Sequence, residues 1–361
     1  MANMHTMANI HLLCSFALLA LSLAFADANS CDKVGVYQLK RGDFSLKFTN
    51  YGATMLSVIV PDKNGKLADI ALSFDSLEDY KNDTCYFGNI VGRVANRIGK
   101  AQFTLNGTRY QLVNNDGDNL LHGGRRGFGD VIWTVKSHKE DSHITFTYES
   151  FDGEQGFPGD VVVSVTYKFI ESNKLAVEMH AKALNKPTPV NLALHTYWNL
   201  GGHDSGDIFA HKIQIFGSHI TPVDDELIPT GEISPVKGTP YDFLEAREIG
   251  SKFKELPNGY DINYVLDNPN PGHLKRVAVV EENASGRKME LWTNQPGVQF
   301  YTSNMLGHVK GKGGFVYSNY AGICLETQGF PDSVNHPNFP SQILYPGETY
   351  KHVMVYRFTA N

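Results

Sequence analysis

The chain of 361 residues is 42% hydrophobic and 19% charged, a composition typical of a globular protein with a large core. Its net charge of -6 and its lack of a basic run argue against a nucleic acid as its partner.

The first 28 residues differ from the rest of the chain. Residues 10–25 are nearly all apolar, and small residues follow at Ala24, Ala26 and Ala28. This pattern predicts a secretory signal peptide cleaved near Ala26 or Ala28. The apolar run is short for a spanning helix, which needs about 20 residues. Because no Lys or Arg precedes it, a retained membrane anchor is the alternative. We predict a secreted protein whose mature form, residues 29–361, is one domain without a membrane anchor.

Three acceptor triplets for N-linked glycans accord with secretion, and they begin at Asn82, Asn106 and Asn283. We therefore predict a glycoprotein.

Three cysteines remain in the predicted mature chain, because Cys14 lies in the signal peptide. An odd number leaves at least one free thiol or an intermolecular bond. We predict a disulfide between Cys31 and Cys85, since both lie outside the strongest strand patterns, which leaves Cys324 over. The cysteine spacing does not resemble a zinc-binding array, and no metal site is predicted.

Strand patterns dominate the mature chain. They are short, rich in β-branched and aromatic residues, and separated by turn-forming Gly, Pro, Asn and Asp. The predicted strands are 34–39, 44–48, 53–60, 143–148, 161–169, 175–180, 191–200, 288–293, 298–301, 322–328 and 350–358. Short helical turns are predicted only at 76–81 and 243–254. The fold class is therefore all-β, one continuous β-sandwich with few short helices.

Residues 191–200 alternate between apolar and polar side chains. In a strand, alternate side chains lie on opposite faces. One face would be apolar, and the other would carry Asn191, His195, Tyr197 and Asn199. Such a ridge is more typical of the wall of a polar cleft than of a wetted surface. A histidine on a rigid strand can transfer protons near neutral pH, although a structural histidine fits this segment equally well.

Polar groups also cluster near glycines in three loops. Arg93, Asn96 and Arg97 lie between glycines, where a guanidinium could bind hydroxyl or carboxylate groups. The alternative for Arg93 is that its guanidinium holds a loop in place by donating to the carbonyl groups of that loop. His122 precedes two glycines, which let the backbone approach a ligand closely. Asp261 either accepts hydrogen bonds from a ligand or caps a turn.

Two later strands place polar groups opposite an apolar face. Gln299 and Tyr301 share one face of 298–301, and Glu326 shares one face of 322–328 with Cys324 and Gln328. A carboxylate in so apolar a strand is costly to bury unless it is paired or used. Partial desolvation would raise the pKa of Glu326 towards that of a useful general base.

These groups indicate a neutral, polyhydroxylated ligand. Tyr197, Tyr301 and Phe330 could offer flat surfaces to the C–H faces of a sugar. The chain has no glycine-rich phosphate loop of the Walker type.

Six segments of this chain occur in the order found in the aldose 1-epimerases, or galactose mutarotases, and the chain resembles that family from its mature N-terminus to its end. These segments are Asn96–Gly99, Leu121–Gly124, Asn191–Leu200, Asn258–Asp261, Gln295–Tyr301 and Leu325–Gln328.

The resemblance implies a large antiparallel β-sandwich of the galactose mutarotase type and an isomerase that needs no cofactor. It implies interconversion of the α and β anomers of free hexoses such as glucose and galactose. Glu326 would be the general base on the anomeric hydroxyl, and His195 the general acid on the ring oxygen. The residues that would bind the sugar are Arg97, His122, Asp261 and Gln299, with Asn96 and Tyr197 as further candidates.

We expect Glu326 to be ionised and His195 to be protonated, because each charge would favour the ionised form of the other. The partner is a small free aldose, and the oligomeric state stays open between monomer and weak dimer.

Three alternatives remain. A carbohydrate-binding module would share the sandwich and the polar cleft without needing Glu326 and His195 together. An epimerase of phosphorylated hexoses would need additional Arg or Lys around the cleft, and secretion would separate it from cytosolic sugar phosphates. An isomerase of a non-sugar compound could use the same acid–base pair.

Overall fold

Antiparallel β-sheets account for most of the regular structure. The computed structural model describes residues 33–82, 84–256, 258–267 and 273–361, without the side chain of Asn82. The predicted signal peptide and Cys31 lie outside these residues, and with them the predicted disulfide. Val34–Asn361 cluster as one compact unit. None of the helices in the described ranges is long and apolar enough to cross a membrane.

The strands are numbered in chain order. The first ten are β1 (Val36–Arg41), β2 (Phe44–Thr49), β3 (Thr54–Pro61), β4 (Leu67–Asp69), β5 (Ile90–Val91), β6 (Arg97–Ile98), β7 (Gln102–Leu105), β8 (Thr108–Gln111), β9 (Leu120–Leu121) and β10 (Thr134–Lys139). The next ten are β11 (His143–Ser150), β12 (Val161–Glu171), β13 (Lys174–Ala183), β14 (Thr188–Pro189), β15 (Ala193–Leu194), β16 (Tyr197–Trp198), β17 (Lys212–Ile215), β18 (His219–Ile220), β19 (Ser234–Pro235) and β20 (Arg247–Glu248). The remaining strands are β21 (Asp261–Val265), β22 (Lys275–Glu281), β23 (Arg287–Thr293), β24 (Gly297–Tyr301), β25 (Val309–Lys310), β26 (Val316–Tyr317), β27 (Ile323–Gln328), β28 (Ile343–Leu344) and β29 (Tyr350–Ala360).

The helices of the described ranges are all short 3₁₀ helices. They are Asp79–Asn82, Gly99–Ala101, Phe128–Asp130, Glu154–Gly156, Ile249–Glu255, Lys312–Gly314 and Ser333–Asn335. Two of them overlap the turns predicted at 76–81 and 243–254, and the other five were not predicted.

Two large sheets form the sandwich. The nine-stranded sheet has the order β10-β11-β12-β13-β29-β23-β22-β17-β20, and the six-stranded sheet has the order β16-β27-β24-β21-β18-β19. Val298, Phe300 and Leu325 of the smaller sheet share one buried cluster with Tyr356 of the larger. The rings of Trp198 on β16 and Tyr356 on β29 have centroids 5.3 Å apart. The sheets therefore pack face to face, which confirms the predicted sandwich.

The alternation predicted for β24 and β27 is also confirmed. Val298 and Phe300 of β24, with Ile323 and Leu325 of β27, lie in the core between the sheets. Because successive side chains of a strand alternate, Gln299 on β24 lies on the opposite face together with Cys324, Glu326 and Gln328 of β27. The six-stranded sheet thus has one face for packing and one for polar groups.

The prediction of one strand over 191–200 is wrong. The segment contains two short strands with different partners, since β15 pairs with β5 and β16 pairs with β27. Asn191 and Asn199 are also structural. The side chain of Asn191 accepts a hydrogen bond from the Gly329 N–H at 2.8 Å, and that of Asn199 donates to the carbonyl of Ala321 at 3.0 Å. Both amides bind backbone groups that meet this segment, so the predicted polar ridge is reduced to His195 and Tyr197.

Two of the predicted glycan acceptors lie on exposed turns. Asn106 lies at the tip of the β7–β8 hairpin, and Asn283 lies in the turn between β22 and β23. Both positions are accessible to modification, and glycosylation stays a prediction.

A close backbone approach fixes the loop after β9. Gly123 has φ of +93°, and a Cβ atom built there would lie 1.9 Å from the carbonyl oxygen of Gly92. Only glycine permits this contact, because a side chain would collide with backbone that cannot rotate away. The loop residue before it, His122, is thereby held against the segment that leads to Arg97.

We expect Gly123→Ala to destabilise the protein by more than Gly153→Ala. Gly153 has nearly the same φ, +92°, but a Cβ atom there would meet nothing within 4 Å. The control should lose about 1–2 kcal/mol from left-handed strain. Gly123→Ala should lose a further amount on the order of 1–3 kcal/mol from the collision. Urea denaturation measures both, and equal losses would contradict this account of the loop.

Candidate active site

The cross-strand register of the six-stranded sheet brings predicted site residues together. Glu326 on β27 lies directly opposite Gln299 on β24, and Tyr301 on β24 lies opposite Asp261 on β21. Directly opposite residues have Cβ atoms about 4.5–5.5 Å apart. A carboxyl group, an amide, a phenol and a second carboxyl group therefore share one polar surface. The Asp261 carboxylate accepts a hydrogen bond from the Gln299 amide at 2.7 Å, so its role extends beyond capping a turn.

His195 reaches the same surface from the link between β15 and β16. Its backbone N–H donates to the carbonyl of Asn89, and its carbonyl accepts from the N–H of Gly88, both at 2.9 Å. These bonds attach the histidine to the loop before β5. Two residues further along, at the start of β16, Tyr197 donates its hydroxyl to the carbonyl of Cys85 at 2.8 Å. The imidazole therefore sits on backbone held from two sides.

Arg97 on β6 and His122, which directly follows the paired strand β9, complete the site. The Arg97 Nε donates to Asp116 at 2.7 Å, which fixes the plane of the guanidinium. Arg93, four residues earlier, has a different role. Its guanidinium donates to the carbonyls of Pro158 and Gly159, both at 2.9 Å. The structural alternative considered for Arg93 is thus confirmed.

All eight sugar-site residues predicted from the sequence line one cavity of about 180 Å³. Its volume is small beside the ~300–1,000 Å³ of sites for drug-sized ligands and suits a single small molecule. The lining residues are Thr84, Cys85, Tyr86, Asn96, Arg97, Leu121, His122, His195, Tyr197, Asp261, Gln299, Tyr301, Met305, Leu306, Val309 and Glu326.

The aromatic predictions were partly right. Tyr197 and Tyr301 line the cavity, but Phe330 packs against the ring of Phe339, with centroids 5.3 Å apart, and is not among the lining residues. Tyr86 was missed, although its ring lies 4.7 Å from that of His122 and 5.8 Å from that of His195. It belongs to an irregular loop whose sequence carries no periodic signal.

The centre of the cavity holds His195 and Glu326. The imidazole Nε2 lies 3.6 Å from the carboxyl Oε1, and the two side chains are only 5% and 2% exposed. The other carboxyl oxygen, Oε2, has no hydrogen-bond partner among the described residues. A buried polar atom without a partner is costly and is typical of a functional site. The cavity thus presents one carboxyl oxygen to an incoming ligand.

Burial sets the ionisation of this pair. Burial, together with the nearby Asp261 carboxylate, raises the pKa of Glu326 well above 4.5, and Arg97 opposes this shift. Burial lowers the pKa of His195 to about 4. Both shifts disfavour the expected ion pair in the protein without a ligand, because desolvation penalises the charged form of each group. Between these pKa values the carboxyl group is protonated and the imidazole neutral, so the pair holds one proton.

His122 is a hydrogen-bond donor to the cavity. Burial lowers the pKa of His122 well below 6.5, so its ring is neutral. The backbone N–H of Asn96 donates to Nδ1 at 3.1 Å, which leaves the ring proton on Nε2.

That proton also bears on metal binding. Ligand atoms of His122, His195 and Glu326 all lie within 4.8 Å of one another, a set that could surround a metal ion. A metal on His122 would need the lone pair of Nε2, which the bond from Asn96 to Nδ1 leaves protonated. The three groups are therefore better suited to exchanging protons with a ligand than to coordinating a metal.

Comparisons with known proteins identify the family of this chain. The sequence model of the family described as aldose 1-epimerase matches residues 35–357. The chain is 43% identical to the galactose mutarotase of Sus scrofa over 325 residues, 90% of this chain and 93% of the relative. It is 35% identical to the aldose 1-epimerase of Escherichia coli (strain K12) over 319 residues, 86% and 91% of the two chains. A crystal structure of an aldose epimerase homologue from C. elegans matches with a TM-score of 0.86 and 30% identity, covering 91% of this chain and 100% of that one.

We expect Glu326→Gln to stabilise the protein relative to wild type as pH rises above 4.5. Wild-type Glu326 keeps its proton when folded, because its pKa is raised, whereas the unfolded chain releases it. The free energy of unfolding of wild type therefore carries a penalty that grows with pH until Glu326 ionises in the folded state. Glutamine has no such penalty. Urea denaturation of both proteins at pH 5 and pH 8 measures the difference.

Glu140→Gln, on an exposed turn, removes the same charge from the surface and is the control for this comparison. If the stability of Glu326→Gln relative to wild type does not increase from pH 5 to pH 8, the pKa of Glu326 is not raised in the folded protein and our assignment is wrong.

Proposed function

Because this chain belongs to the aldose 1-epimerase family, we propose that it interconverts the α and β anomers of a free hexose by opening and reclosing the sugar ring. The observation that carries the proposal is the Glu326 carboxyl group. One of its oxygens lies 3.6 Å from the His195 imidazole, and the other is buried in the cavity without a partner among the described residues. Mutarotation requires one group to take a proton from the anomeric hydroxyl and one to deliver a proton to the ring oxygen.

Ring opening needs the proton of the pair on His195. Moving it there from Glu326 is an internal transfer, so no proton is exchanged with solvent. The Glu326 carboxylate then removes the proton of the anomeric hydroxyl while the imidazolium protonates the ring oxygen. The bond between C1 and the ring oxygen breaks, and C1 becomes an aldehyde carbon.

The open sugar leaves the pair neutral, with a carboxylic acid and an imidazole. This is the arrangement that burial favours, so the site stabilises the protonation state that accompanies the aldehyde. Rotation about the C1–C2 bond exposes the other face of the aldehyde. Reclosure reverses both transfers, since His195 takes the proton of the attacking hydroxyl and Glu326 returns one to the anomeric oxygen.

The remaining lining groups suit an uncharged substrate. Gln299 and the Nε2–H of His122 offer neutral hydrogen bonds, and the Asp261 carboxylate can accept from sugar hydroxyls. Of the described residues that line the cavity, Arg97 is the only Arg or Lys, and Asp116 already engages it. This argues against a phosphorylated hexose, which would need more positive charge.

The alternative of a carbohydrate-binding module does not require a buried acid beside a buried base. The costs of desolvating Glu326 and His195 would then bring no benefit. The third alternative, a non-sugar isomerase, is tested directly by the choice of substrate.

We expect Glu326→Gln and His195→Asn each to lower kcat/KM by about 10²–10⁴-fold, the usual contribution of one positioned acid or base. Polarimetry on freshly dissolved α-glucose and α-galactose measures the rate. His211→Asn is the matched control, because His211 is buried, has its pKa lowered to about 4, and binds the Leu200 N–H at 3.0 Å outside the cavity. It should keep the wild-type rate.

A near-wild-type rate in either site variant would contradict the catalytic role assigned to that residue. A wild-type protein that accelerates mutarotation of no free sugar would refute the proposed substrate class and favour the binding module or the non-sugar isomerase.

We further propose that the protein is secreted and carries N-linked glycans. The apolar segment 10–25, followed by small residues, supports a cleaved signal peptide. The exposed turns at Asn106 and Asn283 support modification there. A free sugar is also a substrate that is available outside the cell, whereas the alternative sugar phosphates are cytosolic.

Expression in secretory cells should release a protein whose N-terminus is Asp27 or Asn29. A glycosidase specific for Asn-linked glycans should reduce the mass of this protein. In Asn106→Gln and in Asn283→Gln the mass lost on this treatment should be smaller by one glycan. Mass spectrometry measures the N-terminus and these mass losses. A product that stays inside the cell with residues 1–28 attached would overturn the proposal.

A further inference from the structure

Behind the active site, a fully buried histidine joins the two sheets. His352 lies on β29 of the nine-stranded sheet and is 0% exposed. Its Nε2 lies 2.7 Å from the hydroxyl of Thr327 on β27 of the six-stranded sheet. Its Nδ1 lies 3.2 Å from the carbonyl oxygen of Leu192 and 3.2 Å from the hydroxyl of Tyr350 on its own strand. One imidazole thus contacts two segments that both lead into the cavity.

The protons of this network can be assigned. Burial lowers the pKa of His352 to about 3, so the ring is neutral and carries one proton. The Leu192 carbonyl can only accept, which places that proton on Nδ1, and the Thr327 hydroxyl then donates to Nε2. Two residues away, the Tyr350 hydroxyl accepts the Leu192 N–H at 3.1 Å. Both backbone groups of Leu192 are therefore bound by side chains of β29.

Thr327 and Leu192, the partners of His352 outside its own strand, are neighbours of the catalytic pair. Thr327 follows Glu326 directly and points into the core, while Glu326 points into the cavity. Leu192 precedes His195 by three residues, in a segment that consists of short strands with different partners. Such a segment has few ladder bonds of its own, so its position depends on contacts like those with β29.

We propose that His352 is a positioning residue that sets the separation of His195 and Glu326, an inference that rests on the proposed function. The imidazole fixes Thr327 and Leu192 relative to each other, and through them the two backbones that carry the base and the acid. Displacement of a catalytic group by about 1 Å can lower a rate by 10²-fold. A polar network in the core is costly, and this role accounts for placing one here.

The test compares two disruptive variants with two controls. His352→Leu removes the bonds to Thr327 and Leu192 together with the contact to Tyr350, and Thr327→Val removes only the bond to Thr327 while keeping the shape of that side chain. His352→Gln supplies an amide oxygen that can accept from Thr327 in place of Nε2. His211→Asn removes a buried histidine that binds the same chain segment at Leu200 but has no bond to β27.

At a temperature where every variant is folded, His352→Leu and Thr327→Val should each lower kcat by roughly 10-fold to 10²-fold. The KM should change less than twofold, because the sugar-binding groups are untouched. His352→Gln should recover most of the loss, and His211→Asn should keep the wild-type kcat while losing stability. The double variant should be no slower than His352→Leu alone, since both changes break one linkage.

Crystal structures of wild type and Thr327→Val separate this inference from the proposed function. We expect the distance between His195 Nε2 and Glu326 Oε1 to differ in the variant and to be unchanged in His211→Asn. If the distance changes but wild type has no mutarotase activity, the proposed function fails while the positioning role stands. If wild type is active and the variants are only less stable, with unchanged kcat and distance, His352 is merely structural and the inference is overturned.

Discussion

Burial of a carboxyl group and an imidazole beside each other is the constraint on which the rest of this structure depends. At 3.6 Å, and almost without solvent, Glu326 and His195 cannot both carry their usual charges without a large desolvation cost. They therefore hold one proton between them. A pair with one proton can give and receive at the same time, which is what the opening of a sugar ring requires.

The character of the cavity follows from that constraint. Additional positive charge would favour a permanently ionised Glu326 and remove the shared proton. Arg97 is accordingly held by Asp116, and His122 is neutral, with its proton assigned by a backbone bond. The Asp261 carboxylate acts in the opposite direction and helps to keep Glu326 protonated. Neutral donors and aromatic rings make up much of the rest, a lining that suits a neutral polyol better than an ion.

The sandwich meets these needs by giving the two faces of the same strands different tasks. On β27, Leu325 and Thr327 face the core, and Glu326 faces the cavity. Register then decides which polar groups meet, because Glu326 and Gln299 are directly opposite each other. A shift of one residue would exchange the two faces and bury the site in the core. The packing of the two sheets therefore protects the catalytic geometry as well as the stability of the fold.

These relations explain which features of the site could be predicted from the sequence and which could not. Alternation within β24 and β27 is a local property, so it predicted correctly that Gln299 and Glu326 lie on a polar face. The same alternation in 191–200 misled, because that segment changes partners at His195 and its two asparagines bind backbone groups from distant loops. Tyr86 and Asp116 could not be found, since each comes from irregular chain. Only the tertiary structure brings Tyr86 to the cavity and Asp116 to Arg97.

The ionisation of the pair shows most clearly what a sequence lacks. From residue types alone, a neighbouring acid and base should each favour the ionised form of the other. In the structure, the depth of both side chains works against that result, because desolvation disfavours the charged form of each group and is the largest cause of both pKa shifts. The two descriptions nevertheless contain the same number of protons and differ only in where one proton resides. Ligand binding therefore needs to move that proton by one step, and the groups that control the step are those that fix the distance between its two ends.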